Sequence, residues 1–184
     1  MSMQRELVEQ AIRGDHEAFS ELVRLSSRKL YAVATLILRD KTRAEDATQE
    51  ALVAAWRDLS GLRDPDRFEA WLHRVLVREC YREAKRERRR IEVEGQVRPV
   101  TETSDPSLQA ADREELERGF ARLPVDQRTV LVLHHYVGYT FPEIAETLGI
   151  PVGTAKSRVH RAAEAMRAAL TADARTVTSG RTSA

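Results

Sequence analysis

Cysteine, aromatic residues and long apolar runs are all scarce in this chain, and each shortage closes off a class of protein. Cys80 is the only cysteine among 184 residues. No intramolecular disulfide framework can form, and no thiolate zinc cluster can be built from this chain alone. Cys80 therefore reads as a buried or half-buried small residue of an intracellular protein. Aromatics make up 5% of the sequence, so any core rests on aliphatic side chains, stays small and gains stability from a partner. No apolar run approaches the roughly 20 residues of a membrane span, so no membrane insertion is expected. Met1 to Glu9 is charged and lacks the apolar centre of a signal peptide. The expected location is cytoplasmic. A Gly-rich phosphate loop is missing too. His134 and His135 are adjacent, and on a helix adjacent side chains diverge by about 100°, so one should face inward and the other the surface. His16 and Glu17 have no partner constellation. The sequence thus offers no catalytic site, metal site or cofactor site, and an enzyme is not expected.

What is abundant is helical periodicity. Leu7, Val8, Ala11 and Ile12 make a short apolar face, and Asp15 can cap a helix carrying Phe19, Leu22, Val23 and Leu25. Leu30, Ala34, Ile37 and Leu38 continue the pattern. Ala47, Ala51, Leu52, Ala55, Trp56 and Leu59 repeat at helical spacing, until Gly61 and Pro65 interrupt them. A further helix is expected from Phe68 to Arg90, with Phe68, Trp71, Leu72, Val75, Leu76 and Cys80 on one face. From Ile91 to Ala111 the periodicity fails, and Gly95, Pro99 and Pro106 stand among Thr, Ser, Glu and Asp, which is linker composition. Helical spacing resumes at Asp112, with Leu116, Phe120 and Leu123 on one side, and Pro124 marks a boundary. Three more helical runs follow: Val125 to Tyr136, Phe141 to Leu148 and Val152 to Leu170. The last residues, from Thr171 to Ala184, read as a disordered tail. The expected fold is all-α: two small helical domains, 1–90 and 112–170, joined by a flexible acidic linker, 91–111, and followed by the tail, 171–184.

The formal net charge is only +1, but its distribution is uneven. Between Leu72 and Arg90 eight basic residues face three acidic ones, whereas between Glu92 and Glu117 eight acids face two bases. A basic helix is followed by an acidic linker.

The most specific local pattern lies near the C-terminus. Thr140-Phe-Pro-Glu143 has the form of a capping box, in which the Thr hydroxyl accepts from the Glu143 amide and the carboxylate reaches back. Pro142 is tolerated because first-turn amides have no intrahelical partner. Gly149 can end that helix in a left-handed conformation before Ile150 and Pro151. The next helix begins with small residues and exposes Thr154, Lys156, Ser157, Arg158, His160 and Arg161, while Ala155, Val159, Ala162, Ala163 and Met166 pack inward. This is a helix-turn-helix whose second helix can enter a major groove. Its Arg and Lys side chains suit guanine edges and phosphates, and its Ser and Thr suit the DNA backbone.

Over most of its length the chain resembles the extracytoplasmic-function group of sigma-70-type sigma factors. The resemblance rests on Asp15-His-Glu-Ala-Phe19, on Arg43-Ala-Glu-Asp46-Ala-Thr-Gln-Glu50 followed by Ala55-Trp56, and on Phe68-Glu-Ala-Trp71-Leu72. In the second domain it rests on Leu123-Pro124, Arg128, Tyr139-Thr140, Glu143-Ile144-Ala145, Leu148-Gly149 and the run from Gly153 to Ala162.

The resemblance implies a role for each segment. Glu45, Asp46, Gln49 and Glu50 would dock on the clamp coiled coil of the largest subunit of core RNA polymerase; the residues alone would sooner suggest an acidic helix N-terminus. The loop Ser60 to Arg67, with Arg63 and Arg67, would meet the minus-ten promoter element as a melted single strand, and Arg74, Arg78, Arg82 and Lys85 would hold its phosphates. The family often has Asn and then Asp where Arg78 and Arg82 stand. Thr154, Lys156, Ser157, Arg158, His160 and Arg161 would read the minus-thirty-five element as duplex. The polymerase flap region would be a further contact, the linker would thread toward the RNA exit path or simply solubilise the chain, and an anti-sigma factor would cover both domains. Trp56 and Trp71 read as core rather than as base-stacking platforms. The competing reading is a stand-alone helix-turn-helix regulator that binds duplex DNA without polymerase. It accounts for Thr140 to Ala169 and leaves Arg43 to Trp71 unexplained.

Overall fold

The computed structural model describes residues 3–94 and 117–180. Every regular element among them is helical and none is a strand. The chain divides into two compact units.

The first unit is built on α1 (Met3–Ile12), α2 (His16–Leu38), α3 (Lys41–Asp58) and α4 (Phe68–Glu94). Aspartates set its helix starts. Asp15 accepts from the amides of Glu17 and Ala18 at 2.9 and 3.1 Å, and Asp40 accepts from Arg43 at 2.9 Å, each satisfying first-turn donors that no helix can pair internally. Arg39 closes α2 in the left-handed region at φ 54°, so α2 ends and α3 begins within two residues.

The buried stripe of α3 is almost all alanine, from Ala44 through Ala47, Ala51 and Ala54 to Ala55. Small side chains let neighbouring helices approach closely while spending little rotamer entropy. Against this stripe the unit packs bulkier groups: Leu22, Leu30, Val33 and Ile37 of α2, and Phe68, Leu72, Leu76 and Cys80 of α4. Thr35 and Thr48, both buried, donate their hydroxyls to the carbonyls one turn back, at 2.7 and 2.6 Å, so neither leaves an unpaired polar group inside. Trp56 and Trp71 are half-buried. Trp56 packs against the rings of His16 and Phe19 at 4.5 and 4.9 Å, and Trp71 lies 6.0 Å from Phe68.

The loop from α3 to α4 contains two short 3₁₀ turns, Leu59–Gly61 and Pro65–Arg67. Buried Leu59 and Phe68 pin its ends. Between them Asp64 caps the second turn by accepting from Asp66, and Asp66 pairs with Arg5 of α1.

The second unit contains α5 (117–122), α6 (Val125–Leu131), α7 (Phe141–Leu148) and α8 (Val152–Gly180). Its core is Leu123, Val130, Leu133, Ile144, Ala155, Val159 and Ala162. Gly119 lets α5 approach α8, because a Cβ there would lie 3.2 Å from Met166 and 3.3 Å from Leu170. After α6 the chain widens into a π turn, Val132–Tyr136. His134 is half-buried and His135 exposed, as their adjacency requires. The Nδ1–H of His134 donates to the carbonyl of Tyr139 at 2.9 Å, since a carbonyl can only accept, and the ring stacks on Phe141.

Two boundaries differ from the sequence expectation. The helix expected to end at Arg90 runs four residues further to Glu94, into the segment assigned to the linker. Arg88 and Glu92 pair at 3.3 Å across one turn there, and such pairs support a helix that has no apolar face to bury. The tail expected from Thr171 is helical through Gly180, because a formed helix extends at little cost per residue. The rest of the expected linker, 95–111, the expected helix start from Asp112 to Leu116, and residues 181–184 lie outside the described residues.

Candidate nucleic-acid interface

Three exposed surfaces correspond to the three groups of residues that the sequence singles out. On α3, Glu45, Asp46, Gln49 and Glu50 are all exposed. They lie on the side of the helix opposite its alanine stripe. Val53 continues the same face and is 63% exposed, so an apolar side chain stands at the end of an acidic surface. Sequence reading passed over Val53 because nothing but its position on the helix marks it.

On α4, Arg74, Arg78, Arg82 and Lys85 are all exposed and fall within an arc of about 80° at 100° per residue. They form one cationic stripe along the helix. Arg63 and Arg67 are exposed on the loop that leads into it. The carboxylates of α4 are placed differently. Glu79 and Glu87 are buried, and Glu83 keeps only 15% of its side chain exposed. Each holds an arginine three residues later: Glu79 with Arg82 at 2.8 Å, Glu83 with Arg86 at 3.3 Å and Glu87 with Arg90 at 3.8 Å. Arg78 also reaches Asp58 at the end of α3, at 3.8 Å. The +5 balance of this segment therefore presents outward with its negative partners drawn in. Cys80, on the core side, is fully buried, and burial pushes its thiol up to about 12. At neutral pH it stays protonated and poorly nucleophilic.

In the second unit the helix-turn-helix shows the reach-back half of the expected capping box, and the Thr140 hydroxyl acts as a donor rather than as the expected acceptor. The carboxylate of Glu143 reaches back to accept from the amide of Thr140 at 2.7 Å, and the Thr140 hydroxyl donates to the same oxygen at 2.6 Å. Gly149 adopts φ 65°. The Ile150 amide donates to the carbonyl of Ala145 at 2.9 Å, the closing bond of a Schellman turn. Pro151 then caps α8, accepting from Ala155 at 3.0 Å. Lys156, Ser157, His160 and Arg161 are exposed on α8 and Thr154 and Arg158 are half-buried, over the buried stripe of Ala155, Val159 and Ala162. Arg161 folds back on Ser157, donating to its carbonyl at 3.3 Å. His160 lies 3.4 Å from Glu164. With Gly153 and Thr154 leading, the first turn of α8 is slim enough to enter a groove.

Among the described residues no group of three or more His, Cys, Asp or Glu could hold a metal, and no helix is long and apolar enough to cross a membrane.

Comparison with known proteins matches two segments of the chain. A family model for sigma-70 region 2 matches residues 22–90, and one for sigma-70 region 4 matches residues 113–166. The chain is 32% identical over 157 residues to the ECF RNA polymerase sigma factor SigM of Mycobacterium tuberculosis, covering 85% of this chain and 79% of that one. It is 31% identical to the ECF RNA polymerase sigma-E factor of Escherichia coli, covering 87% and 90%. Among solved structures it is similar to CnrH in complex with the cytosolic domain of CnrY, with a TM-score of 0.67, 30% identity and coverage of 94% and 99%. It is also similar to the sigma factor RpoE of Bartonella quintana in complex with the anti-sigma factor NepR, with a TM-score of 0.72, 25% identity and coverage of 84% and 98%. The chain belongs to the extracytoplasmic-function group of sigma-70-type RNA polymerase sigma factors.

Proposed function

We propose that this chain directs core RNA polymerase to promoters with two spaced elements and helps to melt the downstream one, performing no reaction of its own. In this reading the acidic face of α3, Glu45, Asp46, Gln49 and Glu50, docks on the clamp of the largest polymerase subunit. Opposite charges steer that encounter and fix its register. The loop 60–67 and the stripe of Arg74, Arg78, Arg82 and Lys85, with Arg63 and Arg67, hold the minus-ten strand once it is single. Phosphate contacts of this kind are tolerant of sequence and sensitive to salt. Thr154, Lys156, Ser157, Arg158, His160 and Arg161 read the minus-thirty-five element in the major groove. In this reading the acidic linker lies on the path toward RNA exit, and the polymerase flap is a further contact. The protein works in the cytoplasm. An anti-sigma factor restrains it; the similar sigma factor RpoE of Bartonella quintana was solved in complex with an anti-sigma factor.

The observation that carries this reading is that the first unit presents an acidic face on α3 and a cationic stripe on α4. A regulator that binds duplex alone has no use for both. The experiment is run-off transcription from a genomic promoter pool with purified core polymerase, with and without the chain. New transcripts sharing two upstream elements support the reading. Unchanged transcripts, with tight duplex binding by the chain alone, would establish the stand-alone regulator instead.

A further inference from the structure

Glu79 is an acid between Arg78 and Arg82 in sequence but on the core side of α4, and it faces the wrong way for a solvated surface group. Its side chain is only 5% exposed, and carboxylates are rarely buried to that degree without a partner. The partners are two of the stripe's own arginines. Both carboxylate oxygens accept from Arg82 Nη1, at 2.8 and 3.0 Å. Arg78 Nε stands 3.7 Å from Oε1, and its Nη2 is drawn from the other side by Asp58 at 3.8 Å. The arginine side chains nevertheless remain 50% and 56% exposed. One withdrawn carboxylate thus anchors two neighbouring guanidiniums, each with donors left to face outward.

We infer that Glu79 is a positioning residue for promoter DNA, holding Arg78 and Arg82 in the orientation in which they meet the phosphates of the minus-ten strand. The inference rests on the reading of α4 as the grip on that strand. A long arginine loses much of its rotamer freedom when it binds, and an anchor inside the helix moves that loss from binding to folding. Preorganisation of this kind raises affinity without adding a contact.

Two effects oppose each other here, and their signs differ. Removing the carboxylate raises the positive charge of α4 by one, which by Coulomb attraction alone tightens DNA binding. Removing the anchor frees both guanidiniums, which weakens it. The loss of orientation should dominate, because it falls on the phosphate-binding groups themselves. The extra charge acts only through a solution whose Debye length is about 8 Å at physiological salt.

The test uses holoenzyme reconstituted with core polymerase, and a fluorescent fork-junction DNA carrying the elements found by run-off. Four forms are compared: the native chain, Glu79→Gln, Arg78→Ala with Arg82→Ala, and all three changes together. Glu79→Gln is expected to bind roughly three- to tenfold more weakly, a coupling of ordinary size for groups in contact. Its salt dependence should become shallower by about 0.7 for each phosphate that an arginine no longer neutralises. In the background lacking both arginines the same change should have no effect, and core polymerase affinity should stay constant throughout. Unchanged or tighter binding by Glu79→Gln, beside a weakened arginine variant, would overturn the positioning role and leave the grip on DNA standing. An equal loss with and without the arginines would also overturn it, because Glu79 would then act on the fold. If the arginine variant binds as tightly as the native chain, the assignment of α4 to DNA fails first, and the inference with it.

Discussion

Three exposed arginines of α4 lean on withdrawn carboxylates of their own helix, whereas Arg161 of α8 leans on a serine. Arg82, Arg86 and Arg90 each hold a withdrawn glutamate three residues back. On α8, Arg161 bonds the Ser157 backbone, and the nearest acid, Glu164, lies by His160. The difference teaches how one chain can address two forms of DNA. A tethered row of guanidiniums suits phosphates along a flexible single strand, where charge and reach matter more than base identity. A slim helix end carrying Lys and Arg suits the floor of a major groove, where side chains must find base edges.

The comparison breaks most severely if one helix loses its support. Leu133 is fully buried in the core of the second unit. Leu133→Ala is expected to destabilise the second unit by about 2–5 kcal/mol, read as a lowered thermal midpoint, and to abolish transcription that depends on the minus-thirty-five element. Next in size is a change on neither DNA surface. Glu45→Lys combined with Asp46→Lys should weaken binding to core polymerase by roughly tenfold or more, most at low salt, as measured by fluorescence anisotropy, and leave fork-DNA binding by preassembled holoenzyme intact.

Smaller effects sharpen the contrast within α8. Arg158→Ala is expected to cost about 1–3 kcal/mol of discrimination at one base position, and Lys156→Ala to weaken all sequences evenly while reducing the salt slope by about 0.9. Binding to duplexes with single substitutions in the upstream element separates the two. The smallest effect concerns pH. Burial lowers the pKa of His73 on α4 from its ordinary 6.5, Glu69 opposing and Lys29 adding to the shift. The unfolded chain then binds a proton more readily than the folded one. Stability of the first unit is therefore full above about pH 6.5 and declines as pH falls below it. His73→Gln should flatten that decline in urea titrations at several pH values.

Much of this was legible in the sequence where local chemistry decides. Asp15, the Thr140–Glu143 pair and Gly149 act within a few residues of themselves, and each does what its residue type allows. The alanine spacing of α3 similarly announces which side faces solvent, and so where Glu45, Asp46, Gln49 and Glu50 stand. The helix ends at Glu94 and Gly180 were not legible, because apolar periodicity stops at Arg90 and Leu170 while the backbone continues on charge pairs and propagation. In the candidate interface, the spacing of Glu79, Glu83 and Glu87 against Arg82, Arg86 and Arg90 held a signal that charge counting blurred into a sum. The link from Arg78 to Asp58 spans two helices, so only the tertiary structure could reveal it.

The central claim is that α4 meets single-stranded DNA while α8 meets duplex. Permanganate probing of a promoter bound by holoenzyme, with parallel footprinting of the upstream element, tests both halves in one experiment. Reactive thymines in the downstream element, with protection of an intact upstream duplex, both requiring chain and polymerase together, are the expected result. Protection of the upstream duplex by the chain alone, with no reactive thymine when polymerase is added, would contradict it.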